Sequence, residues 1–301
     1  MKYQVYKPYL TLTIDSPISI EDLFKQFHLS KKTIHLLKQN KDYQVHHHFV
    51  SPSTILIKGD QITIKAFNQD DGMYTPVYED IDIVYEDEFL LIINKPPFLQ
   101  VFPAHQNDTH SLAHRVSGYY HLQGYDLPVR FIHRLDEETS GLIIFVKCAF
   151  VQPLLDYQLS VKKIKRHYLA VVEGSLKDQQ WHMIHQPIGR DRHHQQRMIV
   201  HAHGKDACTH YRCLATQNNM SLIECILESG RKHQIRVHMA HIGHPIVGDA
   251  LYSQPSPWIS HQALHAYKIE MIHPITQEKL IITSPPPLDM QKLIKKIDPH
   301  G

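Results

Sequence analysis

Phe131-Ile132-His133-Arg134-Leu135-Asp136-Glu137-Glu138-Thr139-Ser140-Gly141 runs straight into the apolar segment 142–146. An apolar entry, a polar loop, a Thr-Ser-Gly turn and an apolar run predict a loop held at both ends by a sheet. Rigid strands flanking a polar loop are a common seat for catalytic groups. Asp136 is the carboxylate nearest Arg134 and His133, and an adjacent Arg lowers an Asp pKa by about 1–3 units. From residue chemistry alone, a surface loop with a local ion pair explains the stretch equally well.

Outward from this loop, strands dominate. Apolar runs predict them at 81–85, 89–94, 142–146, 167–172 and 222–227, and helices at 151–164 and 233–242. Many strands with few helices argue for an α+β or mainly β domain. The second chemically dense stretch is Ser229-Gly230-Arg231-Lys232-His233-Gln234-Ile235-Arg236-Val237-His238. Gly230 permits a tight turn and a helix follows, so three cations stand at a helix N-terminus, a natural anion site. Arg236 lies three positions after His233 and shares its helix face. That face could meet a phosphate or a carboxylate such as Asp136; a solvated cationic face is the plainer alternative.

The first seventy residues read differently. Leu10, Leu12 and Ile14 alternate with Thr11 and Thr13, the period of a half-buried strand. Ser19 before Glu21, Asp22, Leu23 and Phe24 is an N-cap with an acidic first turn. Ser30 caps a second helix in the same way. Short strands are expected at 43–45, 54–57 and 62–64, the last after the Gly59-Asp60 turn. Asn68-Gln69-Asp70-Asp71-Gly72 reads as a linker, which divides the chain into a domain over 1–70 and another over 76–290. Pro285-Pro286-Pro287 is expected to mark the end of the fold.

Composition bounds the rest. The chain has 301 residues, 42% hydrophobic and 21% charged, with a formal net charge of +2 and 26 His. That balance excludes a strongly basic coat, although the His reserve charges at mildly acidic pH. No apolar run approaches the roughly 20 residues of a membrane span, and the start MKYQVYKPYL lacks the apolar stretch of a secretory signal. Cys148, Cys208, Cys213 and Cys225 form no CxxC pair, so neither a zinc site nor a disulfide framework is expected. A cytoplasmic protein is the expectation. His46–His48, His193-His194, and His238 with His241 and His244 lack the spacing and partners of recognised zinc sites, so no metal is expected. Asp136, Glu137 and Glu138 are adjacent on one loop, which disfavours a two-carboxylate glycosidase.

Together, HRLDEETSG (133–141) and SGRKHQIRVH (229–238) resemble the motifs of RluA-type pseudouridine synthases. The likeness spans 76–285 and includes YEDEFLLIINKPPFLQVFPA (85–104), Ala240–Asp249 with Tyr252, and Ala263-Leu264-His265-Ala266. Pro97-Phe98-Leu99 and Lys232 depart from the usual pattern. Residues 16–66 resemble the small RNA-binding domain of ribosomal protein S-four type, with His46-His47-His48 where that family has a small polar turn. The resemblance implies an α+β fold: a small N-terminal RNA-binding-like domain, then a catalytic domain on a long, bent, mainly antiparallel sheet.

It also implies an isomerase that detaches uracil from its ribose and rejoins it through carbon five, with no cofactor. Asp136 would be the catalytic aspartate, attacking the ribose carbon or removing a neighbouring ribose proton. Arg236 would keep it charged, and Tyr168 would stack on the base and assist proton removal from carbon five. Arg134 would aid base flipping, which costs a few kcal/mol. His133, Arg231, His233 and Gln234 would contact the substrate. The implied partner is RNA, first large-subunit ribosomal RNA and otherwise transfer RNA, bound by a monomer with no obligatory protein partner or membrane. A non-catalytic RNA-binding or ribosome-assembly factor is the rival expectation.

Overall fold

The computed structural model describes residues 2–105 and 108–298. β1 (Lys2–Tyr6) pairs with β2 (Tyr9–Thr13). In β2 the period-two pattern sends Leu10 and Leu12 fully inside. After β3 (Ile18–Ser19), α1 (Ile20–Gln26) begins where Ser19 Oγ accepts the Asp22 N–H at 3.1 Å. α2 (Lys31–Gln39) starts in the same way, with Ser30 Oγ accepting from Thr33 at 3.1 Å. Both predicted caps form. β4 (Tyr43–Val45), β5 (Ile55–Leu56) and β6 (Gln61–Lys65) complete the unit, whose sheet runs β1-β2-β6-β4. It is seated on the rest of the chain: the rings of Phe24 and Phe27 lie 6.1 and 4.6 Å from Phe150.

Residues 66–82 hold neither helix nor strand, and the predicted linker lies among them. The segment is nonetheless fastened. Val77 N–H donates to His114 O at 3.0 Å, and a Cβ on Gly118 would stand 2.1 Å from Val77 O. Only glycine allows that approach.

The second sheet begins with β7 (Ile83–Glu86) and β8 (Leu90–Lys95); α3 (Leu112–Leu122) separates them from β9 (Ser140–Val146). α4 (Gln152–Ser160) and β10 (Lys165–Glu173) follow. Next come β11 (His182–His185), a hairpin of β12 (Ile188–Arg190) and β13 (Met198–Val200), then β14 (Cys208–Gln217) and β15 (Met220–Leu227). α5 (Gln234–His241), β16 (Leu264–Ile272), β17 (Lys279–Thr283) and α6 (Leu288–Lys295) close the chain. The order β11-β14-β15-β10-β16-β9-β8-β7, with β17 on β16, makes nine strands. Every pairing is antiparallel except β16 with β9. This is the α+β architecture expected.

Three differences from the sequence reading stand out. α3 and β1 were not foreseen, and the triple proline does not end the fold. It lies between β17 and α6, and α6 runs past residue 290 because Met290 and Leu293 are buried.

Candidate active site

The loop before β9 is fixed along its length. Thr139 N–H closes a turn onto Asp136 O at 3.1 Å, and the Gln262 amide holds the Thr139 hydroxyl. Lys95 Nζ, fully buried, donates to Glu137 O and Pro96 O, both at 2.8 Å. Burial pushes its amine down to about 7, against the charges of Asp136 and Glu137. Gly141 adopts φ +116, and a Cβ there would stand 2.4 Å from Ala266 O. The loop's exit is thereby pressed against β16, where Ser140 pairs with His265.

Arg236 meets this loop from α5. Its Nη1 donates to Asp136 Oδ2 at 3.1 Å. Its Nε and Nη2 form a fork on Asp249, at 2.7 and 2.8 Å. Burial opposes the guanidinium charge, but the hydrogen bonds and charges of Asp249 and Asp136 outweigh it and raise the arginine above its ordinary value. Asp249 is completely buried and also accepts the Leu251 N–H at 3.0 Å. A cation so clamped presents one remaining edge, and Asp136 occupies it.

A cavity of about 800 Å³ opens beside this pair. Asp136, Tyr168 and Arg236 all line it, so the three residues expected to be catalytic are brought together. Tyr168 reaches it from the centre of the sheet, where β10 runs between β15 and β16. Burial and Asp136 raise the phenol pKa against the effect of Arg166, so the hydroxyl is protonated at neutral pH. Arg134 is exposed at the cavity, its guanidinium 4.6 Å above the Phe102 ring, which itself stacks on Phe131. Arg231 is also exposed and donates through Nε to Asp206 O at 2.9 Å.

The other residues expected to contact substrate, His133, His233 and Gln234, also line the cavity, and each is engaged by the protein itself. Gln234 is 3% exposed with its amide fully engaged. Its Oε1 accepts from Ser229 Oγ and Arg231 N–H, and its Nε2 donates to Cys208 O and Thr209 Oγ1. These bonds make it shape the turn at the cavity wall. His133 is turned into the sheet, where Nε2 accepts the Ile144 N–H at 3.2 Å; burial, with Arg166 nearby, pushes it down to about 3. His233 caps α5 in the left-handed region (φ 56). Its Nδ1 lies 3.0 Å from the Tyr252 hydroxyl. That hydroxyl donates to Met198 O and accepts from Met198 N–H, which leaves His233 as the donor and Nε2 unprotonated. Burial pushes this imidazole down to about 4 despite Asp136, whose Oδ2 lies 3.9 Å from Nε2.

Asp249, Lys95 and Arg166 carry parts of the site that sequence reasoning assigned to no one. Lys95 and Asp249 lie in segments that carry the resemblance, and Arg166 stands two residues before Tyr168, which is the signal that could have drawn attention to them. The histidine clusters do not converge: His238 bonds Thr209 and Gln186, while His244 bonds Glu173 O. Among the described residues one trio of ligand type does gather, Cys208, His210 and Glu228, within 4.8 Å. There Glu228 is already paired with Lys162 and His210. No helix among the described residues is long and apolar enough to cross a membrane.

Comparison with known proteins shows what the chain is similar to. The model of the RNA pseudouridylate synthase family matches residues 89–241. That of the RluD ribosomal pseudouridine synthase N-terminal domain matches residues 10–62. The RNA pseudouridine synthase YhcT of Bacillus subtilis is 40% identical over 268 residues, 88% of each chain. The ribosomal large subunit pseudouridine synthase D of Escherichia coli K12 is 36% identical over 264 residues, covering 81% of this chain and 78% of that protein. Among solved structures, human RNA pseudouridylate synthase domain containing 4 superposes with a TM-score of 0.58. It is 20% identical and spans 71% of this chain and 92% of that one, a likeness of fold.

Proposed function

Since the chain belongs to the RNA pseudouridylate synthase family and is an isomerase of uridine in RNA, we propose that it acts on large-subunit ribosomal RNA through Asp136, Arg236 and Tyr168. The observation that carries the residue roles is the chain Asp249–Arg236–Asp136, ending at a cavity of about 800 Å³ walled by Tyr168. Relatives named for the large ribosomal subunit support the RNA class.

The reaction breaks the bond from ribose to the ring nitrogen of uracil and makes one to carbon five. The proton of carbon five leaves and the ring nitrogen gains one, so the product is an isomer. An ionised carboxylate at Asp136 serves either entry, attack on the ribose carbon or removal of a neighbouring ribose proton. Arg236 donates a hydrogen bond to the Asp136 carboxylate, and Asp249 fixes the direction in which the guanidinium points. Tyr168 offers a ring face to the detached base and a protonated hydroxyl at the cavity wall. Among the Lys, Arg, Asp and Glu lining the cavity, five cations stand against three carboxylates, a balance that suits phosphate contacts.

The test is tritium release from RNA labelled at carbon five of uracil and prepared from cells lacking this protein. Wild type should release tritium and Asp136→Asn should not, while RNA affinity stays within a few-fold. Ribosomal and transfer RNA assayed separately identify the substrate pool. Release only from transfer RNA would overturn the ribosomal reading. Release by Asp136→Asn at the wild-type rate would remove the aspartate from its role.

A further inference from the structure

β10 delivers two side chains to the cavity. In a strand, residues two apart share a face, and both Arg166 and Tyr168 line the cavity wall. His167 between them points the other way, to Glu224 at 3.0 Å and against the Tyr267 ring. Arg166 is 7% exposed as a residue, yet its guanidinium forms no hydrogen bond or ion pair with any described residue, and its Nε is buried without a partner. Buried charges in folded proteins are ordinarily paired.

Two of the three carboxylates of the cavity are already engaged. Arg236 holds Asp249 and Asp136, and Glu228 is taken by Lys162 and His210. Asp156, the third carboxylate of the cavity, is exposed on α4. Gly230 is what lets Arg166 lie so close to the turn before α5. A Cβ there would stand 3.2 Å from Nη1 and 3.5 Å from Nη2. His133, next to Arg166, adds a second unpartnered buried nitrogen, Nδ1.

A planar fork of donors, unpaired on a buried residue at the wall of a site that takes a nucleotide, suits an anion with two oxygens in one plane. Resting on the reading of the cavity as a uridine site, we propose that Arg166 seats the phosphodiester adjoining the target uridine. The base then lies against Tyr168 while its phosphate rests two residues along the same strand. Arg166 is thereby a substrate-binding residue distinct from the Asp136–Arg236 pair, and it fixes the depth to which the flipped nucleotide enters.

The test uses the full chain and a labelled RNA oligonucleotide containing the target uridine. Arg166→Gln should raise KM about tenfold or more, the scale of one lost charge-assisted pair, with kcat within a few-fold. It should also lower the slope of log KM against log salt by about 0.7–0.9, the value of one phosphate. Arg166→Lys should recover much of the KM. A second substrate carries one neutral methylphosphonate at the linkage next to the uridine. Wild type should lose on it what Arg166→Gln has already lost, and the variant should be indifferent to the change. Equal sensitivity of both enzymes to the methylphosphonate, or a wild-type KM and salt slope in Arg166→Gln, would overturn the proposal. Should Arg166→Gln fail to fold, wild type and Arg166→Lys on the two substrates decide the matter. Absence of tritium release by wild type from any RNA is a different result, and it would sink the uridine-site reading itself.

Discussion

Asp249 is the residue on which the geometry of the site turns. It never faces the cavity, but two of the three hydrogen bonds that orient Arg236 end on its carboxylate. Removing one partner of a buried pair strands the other charge, at a cost of about 3–5 kcal/mol. Asp249→Ala should therefore lower the unfolding free energy by that order, read from denaturant titration, and depress kcat more than KM, because Arg236 no longer points at Asp136. Wild-type stability in this variant would show that Arg236 is held by something else. At this scale the sequence was legible where chemistry sits in a motif: Asp136 and Arg236 could be named from spacing and resemblance. It was opaque where a polar side chain works inward. Gln234 and His133 read as polar contacts from their place in the motifs, and nothing in their spacing shows that each also bonds the backbone from the cavity wall.

Among the elements, the turn into β9 decides whether the catalytic loop is presented at all. Gly141 sits at φ +116 with the backbone of Ala266 2.4 Å from where a Cβ would be. Gly141→Ala is incompatible with both, so it should destabilise by more than about 1 kcal/mol. It should also displace Asp136, which Thr139 ties to the turn. A urea titration alongside tritium release would register the two effects together; unchanged values in both would show that β16 can yield. Strands with clear apolar runs, such as β8 and β9, were legible because both faces are covered. α3 was missed for the opposite reason. It buries Leu112, Ala113, His114, Val116, Ser117 and Tyr120, so its inward surface includes polar residues and wraps too far around for a 3.6-residue stripe to show. β1 alternates, with Tyr3 and Val5 half-buried between exposed Lys2, Gln4 and Tyr6, but it was missed because five residues with no fully buried position are a short and shallow pattern.

On the scale of the whole molecule, the 26 His seemed a reserve of positive charge, yet the structure buries several in neutral form. Burial holds His133 at about 3, His233 at about 4 and His265 at about 4, all below the ordinary value of 6.5. The unfolded chain takes up protons on these groups as pH falls below 6.5, while the folded chain does not. The stability they contribute is therefore complete above that pH and is lost as pH descends towards the folded values. Each group adds a slope of about 1.4 kcal/mol per pH unit within its window. Glu224, held at about 2 despite its burial by hydrogen bonds from His167, Tyr267 and Arg212, begins its own loss only below the ordinary 4.5. The interval between 6.5 and 4.5 thus isolates the histidines from this acid. His265 is the cleanest probe, being wholly buried between Ser140 Oγ and Ser284 O and outside the cavity lining. His265→Gln should be less stable than wild type at neutral pH, yet its stability should fall less steeply across that interval, by one group's slope. Chemical denaturation at half-unit steps of pH measures both. Parallel curves for the two proteins would mean that His265 binds its proton equally well in the folded and unfolded chains, and that its burial does not govern acid stability.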